Sequence, residues 1–312
     1  MSFVEALPRG PIKKGAPHVW MDIERMLHNF QQYRTYLEKE RVVERLSDHD
    51  QTLRGKVSTC EERTWPNRVT VSSPGHVANA DSKQNKKWEK ASILVPFVVC
   101  EDGPHILVTV RSPEVAHFPD ETSFPGGKWE EGDSNPIETA LREAREEIAL
   151  LPENVTIIGC LEDVCIFPRK RKDGGSREYC LSIVVGVING ICHLSPNSDE
   201  VKEIMICPLK TLFLRPNHVL YRDQKRRDIN IFSLQIELEG KTCIIYGFTA
   251  WLALLICAIL DLVPADCKHV YQCLDVKNKP AVYDSAGFRT LLNFAKKIHR
   301  QSDKIHPMGS KL

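Results

Sequence analysis

A chain of 312 residues, 42% of them hydrophobic, can bury one large core or two modest ones. Its formal net charge of +1 gives no electrostatic reason to expect a nucleic acid or an anionic membrane as partner. The 11 cysteines are scattered, with no C-x-x-C pair and no Cys/His cluster at zinc spacing, which argues against a secreted disulfide scaffold and for reduced thiols in an intracellular compartment.

The first ten residues lack the long apolar run of a secretory signal. Residues 18–46 read as an amphipathic helix, with Trp20, Ile23, Met26, Leu27 and Phe30 at helical spacing, docking on the main domain. From Ser47 to Lys90 the chain turns polar and reads as a linker or long surface excursion. These two segments form an N-terminal extension, residues 1–89, that suggests no chemistry.

The main domain is expected over residues 90–300. Ala91–Cys100 is a short apolar strand, Glu101–Pro104 a turn, and His105–Arg111 the returning arm of a hairpin. Further strands are expected at Val155–Cys160, Glu162–Phe167, Tyr179–Ile188 and Glu203–Pro208. Strands on both sides of a central helix, without regular βαβ repetition, indicate an α+β or mixed α/β sandwich.

The central helix follows the glycine turn Phe124-Pro-Gly-Gly-Lys128. Asn135 is a good N-cap, Pro136 fits the first helical position, and Glu138 can close a capping box. Ile137, Leu141, Ala144 and Ile148 form one apolar stripe. Glu143, Glu146 and Glu147 share another face, where they are neighbours. Like charges so close repel unless a positive group sits among them, and hard divalent cations prefer such oxygen clusters. The helix therefore reads as a metal platform for Mg²⁺ or Mn²⁺. The bland alternative is a solvated acidic face with Arg142 and Arg145 as surface partners.

Two loops are candidate specificity elements. Arg169-Lys170-Arg171-Lys172 is either a solvated charge run or a patch for a multiply phosphorylated substrate. Ser198–Glu203 offers Glu200 and Glu203 as a further ligand or base, or is an ordinary surface turn. Cys243–Leu262 approaches the length of a membrane span, but Gly247 splits it into a strand, Thr242–Tyr246, and a helix of about four turns, and no basic cluster flanks it closely. A buried core helix is the reading. Residues 301–312 form a tail ending in Ser310-Lys311-Leu312, the tripeptide of peroxisomal import, which names an import receptor as a partner.

The stretch from Gly127 through Arg142-Glu143-Ala144-Arg145-Glu146-Glu147 resembles the Nudix box, G-x5-E-x7-R-E-U-x-E-E-x-G-U with U apolar. It departs from that pattern in three ways. Asp133 stands at the first acid position, eight residues rather than seven separate it from Arg142, and Ala149 stands where the pattern has glycine. Upstream, Ile106-Leu-Val-Thr-Val-Arg111-Ser112, Val115, Glu121 and Phe124-Pro-Gly-Gly127 resemble the hallmark of the coenzyme A diphosphatase group, roughly L-L-T-x-R-S-x-x-L-R-x-x-x-G-E-x-x-F-P-G-G, with Ala116 in place of its arginine and Asp120 in place of the glycine before the glutamate. Thr139–Arg142, Pro208-Leu209, Gly247–Ala250 and the terminal tripeptide match as well.

The resemblance implies an α-β-α Nudix sandwich that hydrolyses a diphosphate with Mg²⁺ or Mn²⁺ held by Glu143, Glu146 and Glu147. Arg142 would orient these glutamates, and Glu143, Glu147, Glu200 or Glu203 would take the proton. Arg111, Ser112, Glu121, Gly126, Gly127 and Lys128 would face the substrate, joined by the basic run Arg169–Lys172. CoA and CoA esters would be cleaved to 3′,5′-ADP and (acyl-)4′-phosphopantetheine in the peroxisome matrix. A Nudix enzyme for ADP-ribose or NADH, and a Nudix-fold binding module without turnover, are the competing readings.

Overall fold

A computed structural model describes residues 24–36, 89–100, 102–161, 163–166, 179–189, 192–222, 230–238 and 240–274. The linker expected from Ser47, the basic run Arg169–Lys172 and the C-terminal tripeptide lie outside the described residues.

The hairpin of β1 (Glu89–Cys100) and β2 (Gly103–Arg111) starts the domain, with Phe97 opposite Ile106 and Cys100 opposite Gly103. β1 also pairs in parallel with β7 (Tyr179–Ile188), while every other pairing of the sheet is antiparallel. The sheet runs β3 (Thr122–Ser123), β2, β1, β7, β5 (Val155–Cys160), with β4 (Gly126–Lys128), β6 (Val164–Ile166) and β8 (Val201–Pro208) pairing to β1, β7 and β2. The fold is thus a mixed α/β sandwich built on a mixed sheet, as the strand pattern leads one to expect.

Alternation along β1 divides the core. Leu94 and Val98 face helix α2 (Pro136–Ile148), meeting Ala140, Ala144 and Ile148. Val95, Phe97 and Val99 face the other layer. That layer holds the helix over residues 24–36 (α1), helix α4 (Gly247–Ile259), and a second, three-stranded sheet of β9 (His218–Arg222), β10 (Asn230–Leu238) and β11 (Lys241–Tyr246). Short helices α3 (Leu209–Leu212) and α5 (His269–Leu274) complete it.

α1 docks as its stripe suggests, through Met26, Phe30 and Tyr33, and Arg25 pairs with Asp261 at 2.8 Å. Leu27, expected in the same stripe, is instead 40% exposed, because the docked face is carried on by Tyr33. In α4 the run Leu252–Leu260 is buried throughout, so its apolarity serves the core. No helix among the described residues is long and apolar enough to cross a membrane.

Helix α2 begins as expected: the Asn135 side chain accepts from the N–H groups of Ile137 and Glu138. Glu138 reaches back one residue further than a capping box requires, accepting from Ser134 N–H at 2.8 Å. The buried Ser92 hydroxyl donates to Pro136 O at 2.8 Å and ties the first turn to β1. The exit turns without glycine. Ala149 adopts φ 56°, ψ 23°, and its N–H meets the carbonyls of Ala144 and Arg145. A left-handed alanine carries strain that glycine would not. Ala149→Gly should therefore stabilise the fold by about 1 kcal/mol, read as a rise of roughly 2–4 °C in Tm.

Candidate active site

The site forms where the glycine turn, helix α2 and the turn before β8 converge. Gly126 and Gly127 pair with Ile93 and Ser92 on β1, so the turn lies flat against the sheet edge. A Cβ on Gly127 would stand 2.6 Å from Glu143 Cδ. The absence of a side chain there is what lets the Glu143 carboxylate reach the strand.

Arg142 is the hub of the helix face, with its side chain 16% exposed. Its guanidinium donates to Asp133, to Glu143 Oε1 at 3.1 Å, to Glu146 Oε2 at 2.9 Å and to the Lys128 carbonyl at 2.7 Å. Asp133 is held in turn by the Thr139 hydroxyl at 2.9 Å and the Glu130 N–H at 3.1 Å. Burial works against the Asp133 charge, but Arg142 and these donors outweigh it and keep the carboxyl below its ordinary value. The acid one residue further from Arg142 than the Nudix pattern allows thus anchors the arginine. In sequence Asp133 shows only as a departure from the Nudix pattern, because its partner is nine residues away across a loop, which no helical spacing reveals.

Glu143 and Glu147 point the other way, toward the sheet. Glu147 is 4% exposed, and its Oε2 has no hydrogen-bond partner among the described residues. Burial pushes its carboxyl up to about 8, and the neighbouring charges of Glu143 and Glu200 add to that. Arg111 and a hydrogen bond from the Gly126 backbone only partly oppose it. Glu143 is raised as well, by burial first and then against the pull of Arg142, with Glu146 and Glu200 adding to the rise.

Glu200 belongs to this cluster because of its turn. Asn197 N–H donates to Glu147 O at 2.9 Å, and Asn197 O accepts from the N–H groups of Glu200 and Val201. Ser112, 3% exposed at the end of β2, donates its N–H to Glu200 O at 2.8 Å. Glu203, three residues on, pairs with Lys241 Nζ at 2.8 Å. Glu146 stays half-exposed against Arg142.

Arg111 Nε donates to the His117 carbonyl at 3.2 Å and lends its charge to both Glu147 and Glu121. Glu121 accepts from the Tyr246 hydroxyl at 3.2 Å, and burial raises its carboxyl against Tyr246 and Arg111. Tyr246 comes from the second sheet and carries no local signal in sequence. Lys128 Nζ lies 3.1 Å from Glu89 Oε2, so its backbone carbonyl, not its charge, touches the cluster through Arg142. At Asp120 the backbone adopts φ 58°, a conformation an aspartate tolerates better than most residues, and its carboxylate pairs with Lys202 at 2.6 Å.

A buried carboxylate oxygen without a partner, beside two more carboxylates, is an arrangement that a hard divalent cation completes. The all-oxygen donor set of Glu143, Glu147 and Glu200 fits Mg²⁺ or Mn²⁺ rather than a thiophilic ion.

The description NUDIX domain matches residues 90–227. A protein named "Uncharacterized Nudix hydrolase NudL" from Pectobacterium atrosepticum is 38% identical over 124 residues, which cover 40% of this chain and 59% of that protein. The NudL of Enterobacter sp. is 32% identical over 46% of this chain and 70% of that protein. "Peroxisomal coenzyme A diphosphatase NUDT7" of Mus musculus is 33% identical over 176 residues, 55% of this chain and 70% of that protein. The chain belongs to the Nudix hydrolase family, whose members generally use divalent metals.

Proposed function

We propose that this chain is a metal-dependent hydrolase that cleaves the diphosphate of CoA and CoA esters, releasing 3′,5′-ADP and (acyl-)4′-phosphopantetheine. The observation that carries the catalytic part is the buried, partnerless Glu147 oxygen beside Glu143 and Glu200. CoA as substrate rests on the likeness to the mouse protein and on the residues shared with its group, Arg111-Ser112 and Glu121 through Gly127. The peroxisomal name of that relative and the tripeptide Ser310-Lys311-Leu312 extend the proposal to peroxisomal CoA turnover through an import receptor.

Bound among Glu143, Glu147 and Glu200, with Glu146 as the outer candidate ligand, Mg²⁺ or Mn²⁺ would neutralise diphosphate charge and acidify a water. The chain's own groups do the rest. Arg142 fixes the Glu143 carboxylate and the Lys128 carbonyl, so the cluster is set before substrate arrives. In this reading Glu200 or Glu143 takes the proton from water as the water oxygen bonds to phosphorus and the bridging P–O bond of the diphosphate breaks, while Glu203 pairs with Lys241. Arg111, at the end of β2, supplies positive charge on the substrate side.

The discriminating experiment compares CoA, dephospho-CoA, ADP-ribose and NADH with one preparation and Mg²⁺. Each charge-assisted contact to the 3′-phosphate should be worth roughly 1.5–3 kcal/mol, so CoA should exceed dephospho-CoA about tenfold or more in kcat/KM. Changing Arg169, Lys170, Arg171 and Lys172 to Ala should narrow that gap, and more salt should narrow it too. Equal cleavage of dephospho-CoA or ADP-ribose would reduce the assignment to a general Nudix diphosphatase.

A further inference from the structure

The tip of the β1–β2 hairpin gathers a thiol, a carboxylate and an imidazole that the diphosphatase reading does not use. Cys100 Sγ, a carboxylate oxygen of Asp102 and a ring nitrogen of His105 all lie within 4.8 Å of one another. A tetrahedral zinc ion asks for donor separations of about 3.3–3.6 Å, given metal–ligand bonds of about 2.0–2.3 Å. The His105 Nε2 to Asp102 Oδ1 distance is already 3.6 Å. Side-chain rotation of about 1.2 Å at most would bring the sulfur into place.

The supporting contacts favour the same geometry. His105 Nδ1 lies 3.0 Å from the Gly103 carbonyl. A carbonyl only accepts, so the ring proton sits on Nδ1 and the Nε2 lone pair faces Asp102. Lys210 Nζ, 3.3 Å from Asp102 Oδ2, holds the other carboxylate oxygen and leaves Oδ1 toward the imidazole. His105 is 8% exposed, Cys100 is half-buried, and Asp102 is exposed, so an ion could enter from the Asp102 side.

We propose that Cys100, Asp102 and His105 form a second metal site for a borderline-soft divalent cation of the zinc class, clamping the hairpin tip, with water in the fourth position. The mixed S/N/O donor set distinguishes it from the all-oxygen glutamate cluster. The two sites are also apart: Cys100 is seven residues along β1 from Ile93, the partner of Gly126, or about 23 Å at strand rise. Cys100-x-Asp102-x-x-His105 has none of the paired spacing of a zinc finger, so the hairpin turn, not the sequence, brings the three donors together.

The test loads the chelator-treated full chain with Co²⁺ and reads thiolate-to-cobalt charge-transfer absorption, which a carboxylate site cannot give. One equivalent of Co²⁺ should produce the band in the wild type and in Glu147→Gln, so the outcome is independent of the diphosphatase reading. Cys100→Ser and His105→Gln should abolish it, and Zn²⁺ should displace it and raise Tm. Asp102→Asn, at an exposed position that leaves the fold intact, should weaken Co²⁺ binding at least tenfold. No band in the wild type, an undiminished band in folded Cys100→Ser, or unchanged affinity in Asp102→Asn would each overturn the proposal.

Discussion

Glu147→Gln should lose ~10³-fold or more in kcat while making the metal-free protein more stable, and both effects have one cause. The carboxyl is buried with one oxygen partnerless, and its pKa stands at about 8 against an ordinary 4.5. Because the folded value is the higher one, folding takes up a proton between 4.5 and about 8. The metal-free fold therefore loses stability as pH climbs through that window, and the whole loss is present above it. Near pH 7, about 2.5 units above the ordinary value of 4.5, the penalty is on the order of 3 kcal/mol, at about 1.4 kcal/mol per pKa unit. Glutamine keeps the shape and never ionises, so the penalty vanishes together with the charge that holds the cation. Melts in chelator at pH 6 and pH 8 should show the wild type falling with pH and recovering when Mg²⁺ is added, with Glu147→Gln responding much less in both respects. A variant less stable than the wild type at pH 8 would remove the buried-charge argument. Mg²⁺-dependent turnover near the wild-type rate would remove Glu147 from the metal platform.

What the sequence made legible was local. The Asn135-Pro136 start, the stripe through Ala144 and Ile148, and the three glutamates on one helix face all follow from spacing a few residues long. Their separate fates do not. Glu146 turns out to Arg142 and Glu147 turns into the core, because the turn at Asn197 caps the helix end and brings Glu200 over it. Glu200 and Glu203 were equivalent as sequence, three residues apart in one acidic turn. The ladder of β8 on β2 separates them, sending Glu203 to Lys241 on the second sheet. That sheet was itself only partly read. β11 follows from its apolar run, while β10 went unrecognised although Leu234, Ile236 and Leu238 alternate inward as a half-buried strand should. Tyr246, which reaches Glu121 from that sheet, was invisible for the same reason: a contact between residues 125 positions apart has no period.

The glycine turn offers the sharpest separation of folding from catalysis, because its two glycines should fail in different ways. At Gly126 the backbone has φ 156°, and an added Cβ would meet backbone, with Ile93 Cα at 2.6 Å. Neither β1 nor the turn can yield there without breaking the pairing of Gly126 with Ile93. Gly126→Ala should cost on the order of 3–5 kcal/mol and show as a large fall in the urea midpoint. At Gly127 φ is unremarkable and the atoms nearest an added Cβ all belong to the Glu143 side chain, with Cδ at 2.6 Å. That carboxylate can swing aside, so Gly127→Ala should cost about 1 kcal/mol or less in stability. It should nonetheless lower kcat by roughly 10²-fold, since a displacement of about 1 Å removes Glu143 from alignment with Glu147 and Arg142. Urea melts and single-turnover rates on the two variants give the comparison. If Gly127→Ala keeps full activity, the turn does not position Glu143; if Gly126→Ala melts with the wild type, the close approach of the turn to β1 is not what holds the site against the sheet.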